Sequence, residues 1–560
     1  MKKLLLLSVS MMLLVTGCKF YQTRVMEYKL SQFIKEREKV FIPLTIESNK
    51  LWYAAAVSGK EEDYKKSADI SVQITKIFTN KEDFEKLKSF KESVEVKDPI
   101  LLRQVELLYI NYLGNQTDTT KLEESIRMQS VIENKFSAFR VTIGSEKLSD
   151  NKVDSILRNS TNAKELENVW KSSKLIGAEV AADLVILVKK RNEIAKSLGY
   201  SNFQEMKLKL GEQDPKEIES VFDELDKLTK DAYVKLKGEI DIYLAKRFSI
   251  PVDKLMPWHY QNRFAQEAPA IYSVDLDKYY KNTNILEVAK KYYKGIGLDV
   301  DDILARSDLY EKAGKNQHAF CSDIDHSGDV RVLLNLRNDS YWMNTILHEL
   351  GHGAYAKYNN PQLPFLLRDA AHSFTTEAIA NMFGRFNSNP FWIRDNLGIS
   401  SEEAQKIAAD CQNTARLDQL VFSRWSQVMF RFEKSMYENP DQDLSKLWWD
   451  LVEKYQMMKR PEGRNQPDWA SKIHVATVPC YYHNYLLGQM LASQLYYTIG
   501  EKILGSQTPE NESFTGKPEA GKFLIDKVFK PGALYSWNEM IEKATGEKLT
   551  AKYYARQYVK

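Results

Sequence analysis

The chain has 560 residues, 43% hydrophobic and 28% charged, the balance of a soluble globular protein with a large core. Its formal net charge is only +3, and Lys2 and Lys3 supply two of those charges, so no nucleic-acid partner is expected. Of the four cysteines, Cys18 directly follows the leader; Cys321, Cys411 and Cys480 allow at most one disulfide, so the fold must rest on its core.

Lys2 and Lys3 precede an apolar run at 4–15, followed by Thr16-Gly17-Cys18. A run this short cannot span a bilayer and reads as the apolar part of a secretory leader. Small residues before a cysteine resemble a bacterial lipobox, which implies cleavage after residue 17 and lipid on the Cys18 thiol. The alternative is an ordinary signal peptide with an incidental cysteine. The expected mature chain is 18–560, one domain held by lipid in a bacterial cell envelope. Residues 181–188, interrupted by Asp183, read as buried helix rather than a membrane span.

Apolar residues recur at three- and four-residue spacing over 163–206, 217–248, 401–438 and 444–458, which predicts helices. Strand-like alternation is clearest at 329–336. The polar stretches 459–468 and 505–522 read as loops. The spacing of Gly516 to Lys522 imitates a phosphate loop, but Phe523 stands where a Ser or Thr is needed. Gly295 and Gly297 lack the third glycine of a dinucleotide fingerprint. The prediction is one mainly α-helical body in two lobes, with a small β element beside the central motif.

That motif is His348-Glu349-Leu350-Gly351-His352. Asp339 and Ser340 offer an N-cap, and a helix over 341–358 projects both histidines from one face, where they can share a zinc ion. Glu349 can hold water at the metal and take its proton. Pro361 and Pro364 break the chain, and a second helix beginning near Thr375 carries Glu377. Residues 353–376 are enough to turn that helix back and bring the carboxylate over the histidines. Two imidazoles, a carboxylate and water make an open hydrolytic site. As an exposed edge, the strand at 329–336 could bind a peptide by strand addition. Far downstream, Lys472, His474, Tyr482, His483 and Tyr485 cluster, and a tyrosine or histidine there could stabilise an oxyanion. His259, His318, His326 and His372 receive no functional role.

These motifs resemble the angiotensin-converting-enzyme family of zinc peptidyl-dipeptidases and, more distantly, the thimet-oligopeptidase relatives. The resemblance rests on the histidine motif, Leu367-Arg368-Asp369, Glu377-Ala378-Ile379, Phe264-Ala265-Gln266, Lys472-Ile473-His474, and Val478-Pro479 followed by Tyr482 and Tyr485. It implies a two-lobed helical ellipsoid with a deep groove for short peptides. It assigns one zinc ion to His348, His352 and Glu377, and proton transfer to Glu349. It gives the substrate backbone to His474, the oxyanion to Tyr485, and the free C-terminal carboxylate to Gln266, Lys472 and Tyr482. Such a clamp implies release of C-terminal dipeptides. The rivals are an endo-acting oligopeptidase on the same scaffold and a helical nutrient-binding envelope lipoprotein. Three positions depart from the family pattern. Asn381 replaces an aspartate that supports the histidine ligands, Cys321-Ser322 replaces a Cys-His pair, and Asn484 replaces an arginine that coordinates chloride.

Overall fold

The computed structural model describes residues 2–559 except Ser273, with side chains from Tyr21 onward. The leader and Cys18 side chains lie outside the described residues. Helices dominate. Among the described residues the sheets are two antiparallel hairpins, β1 (Val141–Ile143) with β2 (Glu146–Leu148) and β3 (Phe320–Asp323) with β4 (Val330–Leu333). The expected mainly α fold is the one observed. No helix among the described residues is long and apolar enough to cross a membrane.

The N-terminal helices, which sequence periodicity left unassigned, hold a separate apolar cluster running from Leu30 to Tyr112. Their first member, α1 (Lys2–Ser58), reaches over β3. There Asn49 Nδ2 donates to the carbonyls of Asp323 and Ile324 at 3.3 and 3.2 Å, and Trp52 lies 4.4 Å from the Phe320 ring. The main core extends from Ile132 to Tyr558. Its helical stretch at 163–206 is three helices rather than one, Ala163–Ser173, α2 (Leu175–Ser197) and Phe203–Leu210. The breaks fall at Lys174 and at Gly199, whose φ of +88° suits glycine. Within α2, Leu184, Leu187 and Val188 are fully buried while Asp183 pairs with Lys135 at 2.6 Å, as the reading of 181–188 required. Next, α3 (Pro215–Phe248) starts on an Asp214 cap with Pro215 in its first turn and stops at Ser249 in the left-handed region.

The hairpin of β3 and β4 leads into α4 (Ser340–Lys357), capped by Asp339, which accepts from Trp342 N at 2.8 Å. One structural expectation fails here. The strand near 329–336 is not an open edge, because Asp308 N donates to Val332 O and Leu334 N donates to Asp308 O. Its side chains Val330, Val332 and Leu333 are fully buried, and β3 is the strand that faces the histidine motif.

α5 (Ser373–Gly384) follows, capped by His372, whose Nδ1 accepts from Phe374 N at 3.1 Å. Then come α6 (Ser401–Glu438) and the helix Leu444–Leu451, which widens into a π turn at Val452–Gln456. α7 (His483–Thr498) packs against α5. The predicted loop at 505–522 is shorter than expected, since the helix Pro518–Leu524 begins inside it on a first-turn proline. Cys321, Cys411 and Cys480 are all free.

Two glycines set the helix spacing at the centre. A Cβ on Gly351 of α4 would lie 2.9 Å from Ala380 Cα of α5. One on Gly488 of α7 would lie 3.3 Å from Glu377 Cβ. The first contact draws α5 closer than a side chain permits, and the second leaves a methyl room only if Glu377 shifts slightly.

Candidate metal centre

On α4, His348 and His352 are one turn apart, with ring centroids 4.9 Å from each other. From α5, Glu377 places Oε2 3.8 Å from His348 Nε2 and Oε1 3.9 Å from His352 Nε2. One donor atom from each of the three residues lies within 4.8 Å of the others. The side chains keep 24, 18 and 30% exposure, so an ion and a further ligand can reach them.

Burial pushes His348 down to about 4 and His352 to about 3, so both imidazoles are neutral and carry free lone pairs at pH 7. Burial raises the Glu377 carboxyl as well, and no Lys or Arg pairs with it among the described residues. Two neutral imidazoles and a carboxylate lacking a cation form a donor set that suits a borderline divalent ion. Beside them, burial and then the Glu377 charge push Glu349 up to about 8, against the pull of the Cys321 backbone N–H. The Cys321 amide of β3 therefore faces the same carboxylate.

Sequence reasoning missed two residues here. Thr376 Oγ1 meets His352 Nδ1 at 2.8 Å and fixes that ring, the task expected of residue 381. Tyr481 donates to Ser373 Oγ at 3.1 Å and stands close enough to Glu377 for that charge to help raise its phenol. Their only sequence signals were adjacency to Glu377 and a place one turn before Tyr485.

Tyr485, half-buried, links this centre to the downstream cluster. Its ring lies 5.4 Å from Tyr481 and 5.3 Å from Tyr482, and burial, Tyr481 and Glu377 raise its phenol. Tyr482 touches His474 at 5.3 Å and Trp425 at 5.9 Å. Lys472 Nζ sits 5.3, 5.2 and 5.6 Å from the rings of Phe264, Trp425 and Tyr482, and donates to Gln266 Oε1. Burial lowers this lysine to about 8. His474 is pushed down to about 4 by burial and then by Lys472, and its Nδ1 is buried without a partner. His483 takes no part: its Nε2 meets Gln213 Oε1 at 2.8 Å, away from the cluster. Gln213 also donates to Asn484 at 2.7 Å, so a neutral amide network fills that position.

The sequence profile of the angiotensin-converting enzyme family matches residues 25–559. The chain belongs to that family. It is 24% identical to the angiotensin-converting enzyme of Rattus norvegicus over 333 residues, 56% of this chain and 25% of the relative. With that of Mesocricetus auratus it shares 24% over 431 residues, 70% of this chain and 32% of the relative. It thus spans a quarter to a third of the length of these relatives. It is also 26% identical over 259 residues to thermostable carboxypeptidase 1 of Pyrococcus furiosus, 41% of this chain and 49% of that one.

Proposed function

We propose that the protein is a zinc-dependent peptidyl-dipeptidase that removes dipeptides from the C-termini of short peptides. The observation that carries this reading is the buried pairing of Lys472 with Gln266. An ammonium enclosed by three aromatic rings, with a neutral amide as its hydrogen-bond partner and no carboxylate at ion-pair distance among the described residues, is a receptor for an incoming carboxylate. The relative named as a carboxypeptidase agrees with action at a C-terminus.

Zinc held by His348, His352 and Glu377 supplies a Lewis acid. Glu349, next to His348 and buried against β3, takes a proton from the attacking water and passes it to the leaving amine. Tyr485 donates a hydrogen bond from its phenol to the developing oxyanion and keeps its proton. His474, beside the Tyr482 ring, binds the substrate backbone, and Lys472, Gln266 and Tyr482 grip the terminal carboxylate. Lipid on Cys18, after the leader of Lys2, Lys3 and the apolar run at 4–15, holds the protein to a bacterial envelope.

Mass spectrometry of products from one pentapeptide, with a free or an amidated C-terminus, tests the cutting mode. The free form is expected to yield a dipeptide that disappears with chelator, and the amide to resist. Equal cleavage of both forms, at internal bonds, would replace this reading with an endo-acting oligopeptidase. Glu349→Gln is expected to abolish turnover with the circular dichroism spectrum unchanged. Labelled palmitate entering the wild type and not Cys18→Ala would support the anchor; equal labelling would remove it.

A further inference from the structure

Between His474 and Tyr482 the chain turns back on itself, so that the two rings meet at 5.3 Å. The turn is a short helix, His474–Thr477, followed by Val478, Pro479 and Cys480. Its own backbone does not close it. Val478 N still reaches His474 O at 3.0 Å, but the next position is Pro479, which has no N–H to offer Val475 O. Cys480 N comes next in line for Ala476 O. Cys480 instead takes a φ of +57°, a region that favours glycine, and its amide turns to Glu433.

Two charged side chains take up these loose ends from behind the turn. Arg191, buried on α2, donates Nη1 to Val475 O at 3.4 Å and Nη2 to Ala476 O at 2.6 Å, in place of the two missing amides. A guanidinium holds its donors in a rigid fork, which suits two successive carbonyls. Glu433, buried on α6, accepts from Cys480 N at 2.8 Å. The fork is fixed in turn by Tyr437 Oη at 3.2 Å and by Gln129 Oε1 at 2.8 Å. Neither Arg191 nor Glu433 lines the pocket around His348, Glu349 and His352.

We propose that Arg191 and Glu433 are positioning residues for peptide hydrolysis, gripping the turn at 475–480 so that His474 and Tyr485 meet the substrate together. The proposal rests on the roles that the peptidyl-dipeptidase reading gives to His474 and Tyr485. His474 enters the held turn and Tyr482 leaves it, and the Tyr485 ring packs on Tyr482 at 5.3 Å. A turn that slips therefore carries both tyrosines away from His474. A shift of about 1 Å at a catalytic group costs on the order of 100-fold in rate. Lys472, by contrast, precedes the turn and is tied to Gln266, so the ammonium of the carboxylate clamp does not depend on this grip.

The test separates kcat from binding. Arg191→Lys keeps the charge and loses the fork, and is expected to lower kcat by about 100-fold. Calorimetric binding of the product dipeptide Ala-Leu and zinc affinity by chelator competition should both stay within about threefold of the wild type, since neither uses the turn. Glu433→Gln keeps an acceptor for Cys480 N and should retain kcat within about threefold, whereas Glu433→Leu should fall as Arg191→Lys does. The double variant Arg191→Lys/Glu433→Leu should lose little more than either alone, because both groups hold one turn. Unchanged kcat in Arg191→Lys, or parallel losses in kcat, dipeptide binding and zinc affinity, would overturn the proposal. Where Arg191→Lys yields no folded protein, the contrast between Gln and Leu at 433 decides. Wild-type cleavage at internal bonds alone would end the peptidyl-dipeptidase reading, and the same contrasts in kcat on those bonds would still decide the positioning role. A wild type that hydrolyses no peptide would end both.

Discussion

Thr376 Oγ1 holds His352 Nδ1 at 2.8 Å, from the position just before Glu377. One stretch of α5 therefore supplies both a candidate metal donor and the support for another. Hydrogen bonds to the outer nitrogen of a ligating histidine set its tautomer and aim. Thr376→Val is expected to weaken metal affinity by about 10- to 100-fold, while Thr376→Ser keeps it near the wild type. Competitive chelator titration of the purified variants measures this; equal affinities would show that Thr376 has no such role.

Gly351 lies between the two histidines and nearly touches the backbone of α5. Gly351→Ala would place a methyl 2.9 Å from Ala380 Cα, a backbone atom with little freedom to move. The expected cost is about 1–3 kcal/mol of stability, with the ligand helices driven apart and metal affinity falling as well. Denaturant unfolding of the chelated protein gives the first number, and chelator competition the second.

Lys472→Met keeps an unbranched chain among Phe264, Trp425 and Tyr482 but deletes the ammonium. Free-terminus peptides are expected to lose on the order of 30-fold or more in kcat/KM, mostly through KM, while amidated peptides change little. A uniform loss across both forms would instead point to misfolding of the groove.

Glu433 gives the pH prediction. Fully enclosed, with Oε1 accepting from Cys480 N at 2.8 Å, it is pushed up from 4.5 to about 8 by burial, although the Cys480 N–H and Arg191 oppose this. The native state keeps a proton that the unfolded chain releases above about pH 4.5, so this carboxyl lowers stability as pH rises from about 4.5 to about 8, by at most about 1.4 kcal/mol per pH unit. Glu433→Gln retains an acceptor for Cys480 N and is expected to flatten that slope. Urea midpoints at pH 5 and pH 8, compared between the two proteins, provide the check.

The grouping of His348, His352 and Glu377 was legible because each depends on a short-range rule. A four-residue spacing puts His348 and His352 on one helical face, and a break followed by a new helix brings Glu377 back. The sequence also ordered the clamp residues, and the fold brings Lys472 and Gln266 into contact. What stayed hidden was tertiary. Asp308 covers the far edge of β4 from an irregular segment with no pattern, and so the expected open strand is closed. Thr376 and Tyr481 matter only through what faces them.

The close approach at Gly351 and Gly488 bears on how the metal centre is assembled. The distance between α4 and α5 is set by the backbone contact of Gly351 with Ala380, beside the fully buried Ile346, Leu347, Leu350, Ala378 and Ile379, and no ion has to pull the two helices together. The protein can therefore fold first and load its metal afterwards. Scarcity of the ion then leaves an idle but intact enzyme waiting in place, rather than an unfolded chain open to degradation.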